Sequence, residues 1–192
     1  MNRRVFRPLG MPATRFLPPQ SWRDRIAPTE NDTSFRHRML RGEVHDENAG
    51  RLGGVSGHAG LFSNALDLSR FAAMLLNEGS WDSVQLIRSE TVAEFTRRQD
   101  LPPGSTRALG WDTPSLPRED PTATSSAGTK LSARAFGHTG FTGTSLWMDP
   151  EKDLFIILLT NRVHPTRANT AILRVRPRVA DLVMDALTRP EL

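Results

Sequence analysis

Ala133-Arg134-Ala135-Phe136-Gly137-His138-Thr139, Thr144-Ser145-Leu146-Trp147-Met148 and Leu154-Phe155-Ile156-Ile157-Leu158-Leu159-Thr160 are three short runs that favour extended backbone. Gly140-Phe141-Thr142-Gly143 separates the first from the second, and Asp149-Pro150-Glu151-Lys152 separates the second from the third. Both linkers have turn chemistry, the second with Pro at the favoured i+1 position. Linkers this short leave antiparallel pairing as the natural arrangement, so the stretch predicts a three-stranded meander.

On its C-terminal side, Val179, Leu182, Val183, Ala186 and Leu187 repeat at helical spacing, and Pro177 is expected at the first helical position, where its missing N–H costs nothing. On its N-terminal side, residues 113–132 are rich in Pro, Ser and Thr and predict a flexible, exposed insertion. Further back, Leu68, Phe71, Ala72, Leu75 and Leu76 form an apolar stripe, with Asp67, Ser69, Arg70 and Asn77 on the other face. Ser63 or Asn64 is the expected cap of this helix and Gly79 its stop. A second short helix is expected from Ser89, as cap, to about Arg98, with Val92 and Phe95 inward. Residues 12–36 read as a long ordered loop with an extended piece at Arg25-Ile26-Ala27. Residues 50–60 hold five glycines in eleven positions, the mark of a tight, specifically shaped loop. Helices packed on an antiparallel meander make the fold class α+β.

The chain has 192 residues, about one domain's worth, with 38% apolar residues. With no cysteine, disulfides, thiolate nucleophiles, Cys-ligated zinc and iron–sulfur clusters are excluded, so any nucleophile is an oxygen or a nitrogen. The 25 basic residues exceed the 21 acidic ones only slightly, giving a net charge of +4. The arginines are scattered rather than gathered into a block, which argues against a nucleic-acid partner. The apolar run Leu154–Leu159 is far shorter than the roughly 18 residues of a membrane span. Met1-Asn2-Arg3-Arg4 starts positively but has no apolar stretch behind it, so it does not read as a signal peptide.

His45-Asp46-Glu47 followed by His58 matches no zinc spacing, and a polar loop held by hydrogen bonds is the expected role. Gly54-Val55-Ser56-Gly57-His58 lacks the closing glycine of a nucleophile elbow and does not follow a strand. Gly57, His58 and Gly60 are therefore expected to be loop architecture. No metal and no other cofactor is expected.

Five segments in order carry a resemblance: Arg7-Pro8-Leu9-Gly10-Met11 with Thr14, His45-Asp46-Glu47-Asn48-Ala49, Ser56-Gly57-His58-Ala59-Gly60-Leu61-Phe62-Ser63, Asp67-Leu68-Ser69-Arg70-Phe71, and His138-Thr139-Gly140. Together they resemble the penicillin-recognising serine hydrolases, most closely the class C β-lactamases, DD-carboxypeptidases and related esterases. The resemblance implies a β-lactamase/transpeptidase-like fold of which this chain is the C-terminal portion, with family members often periplasmic or secreted. It implies one partial domain over 1–192. Within it, 1–112 is a helical and loop region, 113–132 the insertion, and 133–192 the meander with its C-terminal helix.

In that family a Ser-x-x-Lys supplies nucleophile and base, Tyr-x-Asn or Ser-x-Asn a second proton carrier, and Lys-Thr-Gly a pocket-lining strand. His138-Thr139-Gly140 resembles the third motif with His for Lys, so His138, Thr139, Gly140 and Phe141 are the implied substrate-binding residues. The backbone N–H of Phe141 is the implied oxyanion donor. Imidazole holds a substrate carboxylate less firmly than an ammonium, which favours an esterase or peptidase over a penicillin-specific enzyme. Ala127 and Asp149 stand three residues before Lys130 and Lys152, so no Ser-x-x-Lys exists here, and there is no Tyr. No catalytic residue is therefore expected in this chain. It is expected to bind a small-molecule or peptide-like substrate, with the family's N-terminal half as partner. The rival reading is a non-catalytic remnant or binding module that recognises peptide-like ligands.

Overall fold

A computed structural model describes residues 1–115 and 125–188. Residues 116–124 of the expected insertion lie outside the described residues. In chain order the elements are β1 (Arg15–Phe16), β2 (Asn31–Asp32), β3 (Arg38–Met39), α1 (Glu47–Arg51), β4 (Leu61–Phe62), α2 (Ala65–Leu76), β5 (Ser80–Trp81) and β6 (Val84–Gln85). They continue with α3 (Ser89–Thr96), β7 (Phe136–Thr139), β8 (Ser145–Asp149), β9 (Leu154–Leu158) and α4 (Ile172–Thr188). A 3₁₀ turn covers Gln20–Arg25, and Ile26 is extended after it. Two compact units result: Met1–Arg70 with Phe141–Thr144 and Leu159–Thr170, and Phe71–Gly140 with Ser145–Leu158 and Ala171–Leu192.

The first unit is mostly loop, pinned by two-stranded pairings of β1 with β4 and of β2 with β3. Leu9, Leu40, Ala49 and Val163 are its fully buried apolar residues. Buried carboxylates organise its backbone. Asp32 accepts from the N–H groups of Ser34, Phe35 and Arg36 and from the Arg36 guanidinium. Burial pushes the Asp32 carboxyl up, but these donors outweigh it and hold the group well below the usual carboxylate range.

Of the two expected caps of α2, Asn64 serves: its Oδ1 accepts from the Asp67 N–H at 2.8 Å. Asp67 was expected on the polar face, yet it is buried, because it accepts from the Ala13 N–H and the Thr14 hydroxyl, both at 2.8 Å. A carboxylate with two donors tolerates burial, and it ties α2 to the chain's first loop. Gly79, with φ of 90°, ends the helix as expected by donating to the Met74 carbonyl.

The second unit holds the meander, in strand order β7-β8-β9, all antiparallel. Phe136 faces Met148 across the first pairing and Met148 faces Phe155 across the second. Trp147 and Met148 are buried, and Phe71, Trp111 and Phe136 form a chain of ring contacts at 6.4 and 5.5 Å. The turn after β8 closes with the Lys152 N–H on the Asp149 carbonyl, and the buried Asp149 carboxylate accepts from the N–H and hydroxyl of Ser132 and from the Glu151 N–H. Within the expected insertion the described residues are held rather than freely exposed, because Thr113 and Ala127 are buried and the Thr129 N–H and hydroxyl donate to Asp181 of α4.

Two expectations shift. Ser89 is the first residue of α3 rather than its cap, and Phe95 is half exposed, because a helix of two turns buries only Val92. In α4, Pro177 lies inside the helix rather than at its start. Ile172, Arg176, Ala180 and Met184 are buried at intervals of four, so one packed face runs through the proline and carries the helix across the lost hydrogen bond.

Gly137 allows no side chain: a Cβ there would lie 2.4 Å from the Leu146 carbonyl oxygen and 2.5 Å from the Trp147 ring. Gly137→Ala is expected to destabilise the fold by about 1–3 kcal/mol, the usual cost of overpacking. Urea unfolding checks this, and an unchanged midpoint contradicts the close packing. β9 is the outer strand of its sheet among the described residues, and its sequence has no charge, Pro or Gly. An apolar edge of this kind recruits other chains. Light scattering behind size exclusion is expected to find oligomers at about tens of micromolar; a stable monomer means that the edge is protected.

Candidate functional site

His138 and Thr139 end β7, opposite Leu146 and Ser145 of β8. Among the described residues the other edge of β7 is occupied at only one point. Asp112 and Gly137 exchange backbone hydrogen bonds of 2.8 and 2.9 Å, forming an isolated antiparallel bridge. Side-by-side alternation puts the N–H and C=O of Thr139, two residues on, at that same edge.

The Asp112 segment also brings Arg107 to the site. Its Nη1 lies 3.3 Å from His138 Nε2 and 3.9 Å from Asp112 Oδ2. His138 Nδ1 lies 2.9 Å from the Thr139 carbonyl oxygen, which can only accept, so Nδ1 carries a proton and Nε2 offers its lone pair to the guanidinium. The His138 ring is therefore held in one tautomer beside an exposed, permanent positive charge. Behind the motif, the buried Arg176 of α4 donates from Nη2 to the Gly140 carbonyl at 2.6 Å and fixes the end of the strand.

Phe141 belongs to the first unit, where its half-exposed ring is gripped by side chains. The His45 ring stacks on it at 5.6 Å, and the Arg162 guanidinium lies 4.0 Å from its centroid. Arg162 Nε donates to the Phe141 carbonyl at 2.7 Å, and the Arg162 N–H to the Thr142 carbonyl at 2.8 Å. His45 is itself held by buried Glu30, Nε2 to Oε2 at 2.8 Å. Arg167 joins Glu30 to Glu47, with contacts of 2.5 and 2.7 Å. Burial pushes Glu30 up, but Arg167 and His45 overcome it and bring its carboxyl down to about 2. Glu47 is lowered by the hydrogen bond from Arg167 and by one from its own backbone N–H, against the opposing effect of burial.

Among the four implied binding residues, His138, Thr139 and Gly140 thus lie along one strand end, and Phe141 follows as a clamped residue. No local pattern in the sequence marks Arg107, Arg176 or the Glu30–Arg167 pair. Arg107 sits in an unpatterned stretch, and Glu30 and Arg167 are 137 residues apart. His45 and His58 each face a different carboxylate, Glu30 and Asp46.

The Beta-lactamase family model matches residues 1–180. The chain belongs to the β-lactamase family. A Salmonella typhi protein carrying the provisional name D-alanyl-D-alanine carboxypeptidase is 37% identical to it over 188 residues, spanning 91% of this chain and 41% of that protein. A protein of the same provisional name from Salmonella paratyphi B matches to the same extent. The chain therefore spans about 41% of the length of these curated relatives.

Among solved structures, a β-lactamase from Mycobacterium bovis superposes with a TM-score of 0.61 at 21% identity, covering 98% of this chain and 55% of that one. Simvastatin synthase from Aspergillus terreus gives 0.62 at 14% identity, with 98% and 50% covered. A penicillin-binding protein homologue from Caulobacter crescentus gives 0.58 at 19%, with 94% and 50% covered. The fold of this family member is thus the α+β β-lactamase/transpeptidase fold, represented by about half of those chains.

The depressed acidity of Glu30 fixes the sign of a pH effect. A carboxyl near 2 when folded and about 4.5 when unfolded contributes stability above pH 4.5 that is lost as pH falls through 2. Glu30→Gln is expected to be less stable at pH 7 by up to about 3 kcal/mol, with the difference closing towards pH 2. Urea unfolding across that range tests it, and a difference independent of pH contradicts the assignment.

Proposed function

We propose that this chain supplies the substrate-side wall of a β-lactamase-like acyl-transfer site, in which an amide or ester is cleaved through an acyl-enzyme. The edge of β7 at Thr139 receives the backbone of a peptide-like substrate. The Arg107 guanidinium beside His138 receives its terminal carboxylate, and the Phe141 N–H donates to the oxyanion. The observation that carries this reading is the 3.3 Å contact between Arg107 and His138, which restores a fixed positive charge where His stands in the family's Lys position. The name of the Salmonella relatives supports a D-alanyl-D-alanine terminus as the substrate class.

With neither Ser-x-x-Lys nor Tyr in the chain, binding by this wall occurs without turnover of peptide or β-lactam. The same absence favours the second reading, a binding module for peptide-like ligands. Both readings expect a charge-dependent ligand. An N-acyl-D-alanyl-D-alanine is expected to bind at least about tenfold more tightly than its C-terminal amide, as a charged hydrogen bond of 1.5–3 kcal/mol requires. Arg107→Gln is expected to erase the difference while nitrocefin stays intact. Titration calorimetry measures it; equal affinities for acid and amide, or hydrolysis of nitrocefin, contradict the reading.

A further inference from the structure

The loop between α1 and β4 lines up three side chains. Ser56 Oγ lies 2.8 Å from His58 Nδ1, and His58 Nε2 lies 3.1 Å from Asp46 Oδ1. Backbone closure makes this alignment. Gly54 and Gly60 have φ of 86° and 107°, and a Cβ on Gly60 would stand 2.3 Å from the Gly54 carbonyl oxygen, so only glycine lets the loop ends meet. The Gly54 N–H is anchored on the Ala49 carbonyl at 2.8 Å, and the Ser56 N–H closes the tip on the Ala59 carbonyl at 3.2 Å.

Asp46 is fixed independently as the N-cap of α1, accepting from the Ala49 N–H at 2.7 Å. That bond comes first in holding its carboxyl below the ordinary range, with His58 adding to it against the opposing effect of burial. An ionised carboxylate only accepts, so His58 carries its proton on Nε2 and turns the Nδ1 lone pair to the Ser56 hydroxyl. Nucleophile, base and orienting acid are then in hydrogen-bonded series, the arrangement that activates a serine.

Access is also present. The space beside Gly57, at the loop tip, is open. Val55, next to Ser56, is the one residue of this loop tip that lines an open cavity of about 820 Å³, whose wall mixes Phe6, Met11 and Phe16 with Arg7, Thr14 and Arg15.

We propose that Ser56, His58 and Asp46 form a second acyl-transfer site, independent of the β7 edge, that takes small activated esters. Ser56 Oγ bonds to the ester carbonyl carbon as its proton passes to His58 Nδ1. The bond from carbonyl carbon to the leaving oxygen breaks, and the departing aryloxide takes up that proton or leaves it to solvent. Water, giving a proton to the same nitrogen, then attacks the acyl carbon, which releases the carboxylic acid and restores the Ser56 hydroxyl. An activated aryl ester is a far easier acyl donor than a peptide or a β-lactam, so this activity coexists with intact nitrocefin.

The test is incubation of the full chain with p-nitrophenyl butyrate, following p-nitrophenol release, intact mass and peptide mapping. The expected result is one butyryl group on Ser56, absent in Ser56→Ala, and acylation at least about tenfold slower in His58→Asn. Asp46→Asn keeps a competent helix cap, so the chain is expected to stay folded with a Tm lowered by only a few degrees while acylation slows at least about tenfold, a loss that the small change in stability does not produce. Adducts confined to Lys130, Lys152 or the α-amine, or an unchanged rate on Ser56 in His58→Asn or Asp46→Asn, would overturn the proposal. None of these outcomes bears on carboxylate binding at Arg107, so the two sites stand or fall separately.

Discussion

The pair of backbone hydrogen bonds between Asp112 and Gly137 is the constraint on which the β7 edge depends. It places the Arg107 guanidinium beside the imidazole of His138, and among the described residues it ends the coverage of β7 before Thr139, whose N–H lies at the same edge and whose carbonyl accepts from His138 Nδ1. The pairing of Gly137 with β8 closes as it does because residue 137 has no side chain. The Leu146 carbonyl and the Trp147 ring occupy the space a Cβ would need, so the bridge on one edge and the pairing with β8 on the other close tightly on the same residue.

Charge is used differently in the two units. In the second unit Arg107 is exposed and lies beside His138 and the Asp112 carboxylate. In the first unit two guanidinium groups serve the architecture: Arg162 and Arg167 hold Phe141 and Glu30 with several contacts each. A buried carboxylate without such partners would be strongly destabilising, which is why Glu30 remains ionised down to low pH only as a member of its network.

How much of this was legible follows from the range of the interactions involved. The meander was readable because its three runs and two turns are local, and the stripe of α2 was readable for the same reason. Phe95 and Pro177 were misjudged because helix length and burial, which depend on distant packing, decide which face is covered and whether a proline is tolerated. Asp67 looked like a solvent-facing residue since its partners, Ala13 and Thr14, are more than fifty positions away. The His-Thr-Gly strand could be recognised by resemblance, whereas Arg107 had no local pattern to mark it. The loop at 50–60 was legible as a tight shape, but the alignment of its Ser56 and His58 with Asp46 required the backbone closure of Gly54 on Gly60.

The central claim is that a peptide-like ligand with a free carboxylate lies along the open edge of β7 beside Arg107. Amide chemical shifts of the ¹⁵N-labelled chain, followed during titration with an N-acyl-D-alanyl-D-alanine, locate that ligand residue by residue. Shifts concentrated at Arg107, His138, Thr139 and Phe141 are the predicted outcome. Shifts concentrated elsewhere, with those four amides unmoved at saturation, would contradict the account.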